Sequence, residues 1–208
     1  MNQLISKTFL WMFVGLLVTF LTGYVVSINE NMLLSIFGGS IFWLIIILEF
    51  ALVIFFSARV HKMKPTTAKI CFLLYSFVSG LTFSSVFVGF ELGSVMYVFL
   101  IAAVIFAIFG AIGYFTNVDL NKISVYLLMG LFAILVCMIV NIFLNNSTFD
   151  LIISIITLLI LFGFTAYDIQ KVKILSNAGI DHDVVAINGA FELYLDFINI
   201  FLHLLSIM

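Results

Sequence analysis

Residues 188–203 read Asn-Gly-Ala-Phe-Glu-Leu-Tyr-Leu-Asp-Phe-Ile-Asn-Ile-Phe-Leu-His, inside the last hydrophobic segment of the chain. On a helix advancing about 100° per residue, Asn188, Glu192, Asp196, Asn199 and His203 fall on one narrow face, and the other faces are Phe, Leu, Ile and Tyr. Two carboxylates and a histidine on one stripe of an apolar helix are costly in lipid. The stripe is therefore expected to face the interior of a bundle or a water-filled path, with the other helices surrounding it.

Composition sets the frame for that stripe. The 208-residue chain is 65% hydrophobic and 9% charged, with a mean hydropathy of +1.35, far outside the range of a soluble domain. It reads as an all-α polytopic membrane protein folded as a single domain over residues 1–208, in contact with the lipid bilayer. The net charge of −2 is spread without any basic run suited to nucleic acid. Cys71 and Cys137 fall inside apolar segments, with no spacing that suggests a disulfide or metal site, and read as buried small apolar residues. The first apolar segment lacks a small-residue cleavage site and reads as a retained span.

Seven apolar blocks follow one another at residues 8–28, 34–56, 70–90, 94–115, 123–144, 151–170 and 184–208, separated by polar turns. Lys7, Arg59, Lys62, Lys64, Lys69, Lys122, Lys171 and Lys173 all fall on one side of this alternation. The opposite connections carry Glu30, Glu91 and Asp150 and no positive charge. By the positive-inside rule the N-terminus is cytoplasmic, there are seven spans, and the C-terminus is outside. A re-entrant seventh segment is the alternative path to the same charge pattern. In the fourth span Ala103, Ala107, Gly110, Ala111 and Gly113 set small residues at helical spacing, which predicts close helix packing within a monomer, with a dimerisation motif as the alternative.

Ionisable groups at membrane depth are few. Glu49 lies in the second span, Asp168 near the inner end of the sixth, and Glu192, Asp196 and His203 in the seventh. Asp168 and Asp196 read either as a functional carboxylate pair or as a structural hydrogen-bonded one. Straight ideal helices leave them at different depths, with Asp196 roughly 18 Å into its span at 1.5 Å per residue, so spacing alone does not pair them. Two carboxylates sharing a low-dielectric site cannot both ionise cheaply; one proton is retained, and its loss adds charge that suits a hard cation such as Ca²⁺. His203 reads as a packed histidine near the outer end, with pH response as the alternative. Asn199 reads as an interhelical hydrogen-bonding residue, with ion contact as the alternative. Asp181-His182-Asp183 reads as a helix cap and not a metal site.

Ala166-Tyr167-Asp168-Ile169-Gln170, followed by Glu192-Leu193-Tyr194-Leu195-Asp196-Phe197-Ile198-Asn199-Ile200-Phe201, resembles the paired signatures of the Bax inhibitor family of membrane proteins, in particular its bacterial calcium-leak members. Tyr75-Ser76-Phe77-Val78-Ser79-Gly80-Leu81-Thr82-Phe83, and residues 116–120 leading into Met129-Gly130-Leu131, are similar to the same pattern. The Leu-Tyr-Leu-Asp-Phe-Ile-Asn run is the most specific part. The resemblance implies a central seventh helix surrounded by the other six. It also implies a pH-sensing, gating aspartate pair at Asp168 and Asp196, with Arg59 and Glu49 at the family's basic latch and acidic position. Glu192, Asn199 and His203 are then pore-lining candidates. Glu192 departs from relatives that carry a small or neutral residue there, and no charged C-terminal tail follows.

The resulting expectation is a pH-sensitive calcium or cation leak of a bacterial inner membrane. It takes Ca²⁺ and protons as its partners, with Asp168 and Asp196 as the hypothetical Ca²⁺ ligands, and has no catalytic residue and no cofactor. Competition between protons and Ca²⁺ at the pair, with an Arg59 contact to Asp168 closing the path, is the mechanism this suggests. A regulatory protein acting on a membrane-bound protease, without transport of its own, is the alternative. An intramembrane aspartyl protease is a third reading, disfavoured because Tyr-Leu-Asp-Phe lacks a glycine-flanked aspartate. Retinal photochemistry is excluded by the absence of lysine from the seventh span.

Overall fold

The computed structural model describes residues 2–176 and 181–208. These form α1 (Asn2–Ser27), α2 (Glu30–Phe37), α3 (Ile41–Arg59), a 3₁₀ turn (Val60–Lys62), α4 (Pro65–Gly89), α5 (Leu92–Phe115), α6 (Asn121–Leu144), α7 (Ser147–Leu175) and α8 (His182–Ile207). No strand occurs among the described residues. Seven helices are long and apolar enough to cross a membrane, and α2, at eight residues, is not among them. The fold is therefore all-α with seven candidate spans. The seventh is one continuous helix of 26 residues, about 39 Å at 1.5 Å per residue, against a hydrocarbon core of about 30 Å. A re-entrant path is not what forms there.

The second apolar block differs from expectation. Residues 34–56 do not make one helix, because Gly38-Gly39-Ser40 divides α2 from α3. Asn29 caps α2 by accepting from the Met32 amide at 3.3 Å, and the Gly38 amide closes it by donating to the Leu34 carbonyl at 2.9 Å. Two successive glycines each weaken a helix by about 1 kcal/mol relative to alanine, a backbone cost that the uninterrupted hydropathy of the block conceals. The span starts at Ile41 and ends through the 3₁₀ turn, where Pro65 occupies the first turn of α4 and needs no hydrogen-bonded amide.

The sixth span also runs past its expected end, to Leu175 instead of Gln170, so Lys171 and Lys173 belong to the helix. Of the polar connection expected over residues 171–183, residues 177–180 lie outside the described residues.

The chain clusters into two compact units, Met1–Val95 with Leu175–Tyr194, and Met96–Ile174 with Leu195–Met208. In the first, α1 and α4 approach closely. A Cβ at Gly80 would meet the Thr19 carbonyl at 2.9 Å, and one at Gly23 would meet the Gly80 carbonyl at 3.2 Å. Phe56, Phe72, Tyr75, Phe191 and Tyr194 form an aromatic core, with contacting ring centroids from 4.4 Å (Phe56 and Phe191) to 6.1 Å (Phe72 and Phe191). In the second unit the small residues of α5 receive α7. A Cβ at Gly110 would lie 2.8 Å from Ile169 Cδ1, and one at Gly113 would collide with the Ala166 backbone. The close packing expected of that stripe is what the structure has.

Burial is graded among the spans. Buried residues make up 56% of the apolar window of α8 but 6% of that of α6. Phe132 and Phe143 of α6 are among many large apolar side chains left exposed, as a lipid-facing surface requires. Cys71 and Cys137 are half-buried, less enclosed than expected.

Candidate functional site: the carboxylates of α7 and α8

Asp168 and Asp196 are each 7% exposed, an unusual degree of burial for carboxylates, and both belong to the second unit. α5 brings their neighbourhoods to one level. Phe106 packs edge-on against Phe197, with centroids 5.6 Å apart, and one turn further along the same face Gly110 receives Ile169. Residues four apart on a helix are separated by about 6 Å along its axis, so Phe197 and Ile169, the immediate neighbours of Asp196 and Asp168, meet α5 about one turn apart. The depth mismatch expected of straight ideal spans is reduced in part because α7 continues seven residues beyond Asp168.

Around Asp168 the C-terminal end of α7 is fixed by its own polar groups. The Gln170 side chain accepts from the Leu120 amide and donates to the Val118 carbonyl, both at 2.8 Å, clamping the α5–α6 connection from both sides of one amide. Lys173 donates to the Tyr114 carbonyl at 3.3 Å and stands over the Tyr114 ring. Sequence reading missed Gln170. Its position two residues after Asp168, where the helix meets a polar loop, was the available signal.

The polar stripe of α8 is not uniform. Asn188 is buried and donates to Glu192 Oε1 at 3.2 Å, a contact between successive turns. Glu192 is half-buried, and Asp196 is buried. Asn199 is exposed and donates to the Leu195 carbonyl of its own helix at 2.7 Å. That bond replaces the interhelical one expected of it, since an exposed amide on the outer face finds its nearest acceptor one turn back. His203 is half-buried and lies within electrostatic range of Asp150 at the start of α7.

The remaining sequence candidates belong to the first unit. Glu49 Oε1 accepts from the Thr82 hydroxyl at 2.9 Å. Arg59 is exposed at the last residue of α3, ten residues and about 15 Å along the helix from Glu49. Asp181 caps α8 by accepting from the Asp183 amide at 2.8 Å, as expected. Asp183 does more than cap: it pairs with Lys7 of α1 and with Lys69 of α4, the latter at 3.2 Å, while Lys69 also stands over the Trp11 ring. The beginnings of α1, α4 and α8 thus share one end of that unit.

No group of three or more His, Cys, Asp or Glu able to hold a metal occurs among the described residues. Two carboxylates can offer a cation a few oxygens, with water completing the shell.

The family model described as inhibitor of apoptosis-promoting Bax1 matches residues 1–208. An uncharacterized protein of Borreliella burgdorferi is 37% identical over 212 residues, covering 100% of this chain and 91% of that protein. Inner membrane protein YbhL of Escherichia coli K12 is 33% identical over 208 residues, covering 97% of this chain and 89% of its own length. An uncharacterized membrane protein of Streptococcus pyogenes is 32% identical over 184 residues, covering 88% and 77%. With seven apolar helices and a family match from end to end, the chain is a membrane protein of the Bax inhibitor family.

Proposed function

We propose that this protein is a pH-sensitive leak for calcium or similar cations in a bacterial inner membrane, gated by Asp168 and Asp196. The observation that carries the reading is the burial of these two carboxylates on α7 and α8, in one compact unit and with neighbours about one turn apart on α5. Two carboxylates in so apolar a setting hold one proton between them; giving it up adds a charge that either repels across the helix pair or is met by a cation. A hard divalent ion with oxygen preference is the natural substrate for the charged form. Protons and the cation then compete for the same oxygens, and pH sets the flux.

The N-terminus is placed in the cytoplasm and the C-terminus outside. What supports this is the confinement of every Lys and Arg to one side of the alternating connections. Calcium flux into dye-loaded proteoliposomes across a pH range tests the proposal, comparing the unmodified protein with Asp168→Asn and Asp196→Asn. Loss of the pH dependence in both variants is expected. An Asp196→Asn protein with unchanged leak and unchanged pH response would sink the assignment.

A further inference from the structure

α2 spans eight residues, about 12 Å, and none of them is buried. Its connections are short: Ile28 and Asn29 lead in from α1, and residues 38–40 lead out to α3. Three extended residues reach about 10 Å, so neither link lets α2 leave the membrane surface at which α1 ends and α3 begins.

The sides of α2 differ. At about 100° per residue, Leu33 and Ile36 share one side, and both are half-buried against the unit. Asn31 and Ser35 share a second side and are exposed. Leu34 and Phe37 share a third with Glu30, and they are 70% and 38% exposed. A single exposed leucine would need no explanation. These two, however, continue an apolar surface that is already lipid-facing. Val25 and Ile28 precede α2 at the end of α1, and Ile41, Trp43 and Leu44 follow it at the start of α3, all exposed. Phe37 meets Phe42 with ring centroids 5.3 Å apart, and Phe42 meets Trp43 at 5.8 Å, which carries the side of α2 directly onto the span. Aromatic rings with exposed faces at a helix start are what a bilayer interface accommodates.

Charge decides the kind of lipid contact. Glu30 is the only charged residue between Lys7 and Glu49. A helix that gripped anionic headgroups would carry lysine or arginine on its polar side, and here that side is Asn31 and Ser35. Glu30 occupies the first turn, where the helix dipole favours a carboxylate. Its place on the side of Leu34 and Phe37 sets α2 at a tilt, with Phe37 deeper than Glu30.

We propose that α2 is an in-plane membrane anchor that inserts Leu34 and Phe37 among phospholipid acyl chains, keeps Asn31 and Ser35 in water, and holds lipid without headgroup charge. The corner of Gly38 and Gly39 then turns the chain from the plane of the interface into the second span. The anchor is separate from the α7 and α8 carboxylates and does not rest on the leak.

Nitroxide labels on the full-length protein test it, at Asn31→Cys, Leu34→Cys, Ser35→Cys and Phe37→Cys with Cys71→Ala and Cys137→Ala, in phosphatidylcholine vesicles. Labels at Leu34 and Phe37 are expected to collide with dissolved oxygen in several-fold preference to a water-soluble nickel chelate, and labels at Asn31 and Ser35 to show the reverse. The same pattern is expected when phosphatidylglycerol is added. Nickel preference at all four positions would place α2 in water and overturn the proposal, as would shielding of Leu34 and Phe37 from both reagents, the result a covering protein surface gives. A pattern that appeared only with the anionic lipid would overturn the charge-independent contact. Leu34→Trp and Ser35→Trp, each with Trp11→Phe and Trp43→Phe, leave both cysteines in place and supply a second measurement. Acyl-brominated lipid is expected to quench the tryptophan at 34 more than that at 35, and equal quenching would overturn the assignment of sides.

Discussion

Gly113 of α5 lies directly on the backbone of Ala166 of α7, with no room between them for a Cβ. The obstacle is main chain, which cannot rotate away as a side chain can. Gly113→Ala is therefore expected to push the two helices apart at the turn just before Asp168, at a cost of about 1–3 kcal/mol typical of overpacking. Gly110→Ala meets only the flexible tip of Ile169 and should cost less. Thermal unfolding in detergent would check the order, and an equal effect of the two substitutions would contradict it.

Gln170 links the C-terminal end of α7 to the α5–α6 connection through two bonds at 2.8 Å. Its side chain is largely buried, so Gln170→Ala leaves a backbone amide and a carbonyl with lost partners. Each such bond contributes about 0.5–1.5 kcal/mol, and the loss should be local. Hydrogen exchange at the Leu120 amide is expected to quicken while amides in the middle of α7 stay protected. Unchanged exchange at Leu120 would show that the clamp does not hold the loop.

The apolar blocks alone located six of the seven spans with ends within about six residues, because a membrane core imposes a length that hydropathy reports directly. The break at Gly38-Gly39 escaped because its flanks are uniformly apolar and the cost is carried by the backbone. Asp168 and Asp196 stood out in the sequence as ionisable groups at depth. Their neighbourhood on α5 did not, since it depends on Phe106 and Gly110 in a third helix. The clamp of Gln170 and the bridge at Asp183 share this property. Each joins residues far apart in the chain, and no spacing rule within one helix predicts them. The α8 stripe shows the converse limit: helical periodicity correctly grouped Asn188 with Glu192, but assigned Asn199 to an interior that the neighbouring helices do not enclose.

Asp183 binds Lys7 and Lys69 together at the start of α8. The side chains retain 29–46% of their exposure, so solvent screens both pairs. Exposed pairs contribute about 0–1 kcal/mol each, and the geometric role should exceed the energetic one. Asp183→Asn is expected to lower thermal stability slightly at low salt, with the difference from the unmodified protein shrinking as salt is raised. A large, salt-independent loss would mean that the carboxylate does something other than pair with lysines.

Asp119, in the exposed connection before α6, separates the loop's acid chemistry from that of the helix pair. The Asn121 side chain, followed by the Asn121 amide, hydrogen-bonds its carboxyl and holds it below the usual carboxylate range. A folded-state value depressed in this way contributes stability above the unfolded value, about 3.9 for an aspartate, and loses it only as the pH falls through the lower folded one. Asp119 therefore stays ionised throughout the mildly acidic to neutral range and cannot supply a proton-dependent change there. Asp119→Asn is expected to leave any pH dependence of cation flux in that range unchanged, while Asp168→Asn and Asp196→Asn remove it. If the Asp119 variant shifted the flux profile instead, the pH response would belong to the α5–α6 connection and not to the carboxylates of α7 and α8.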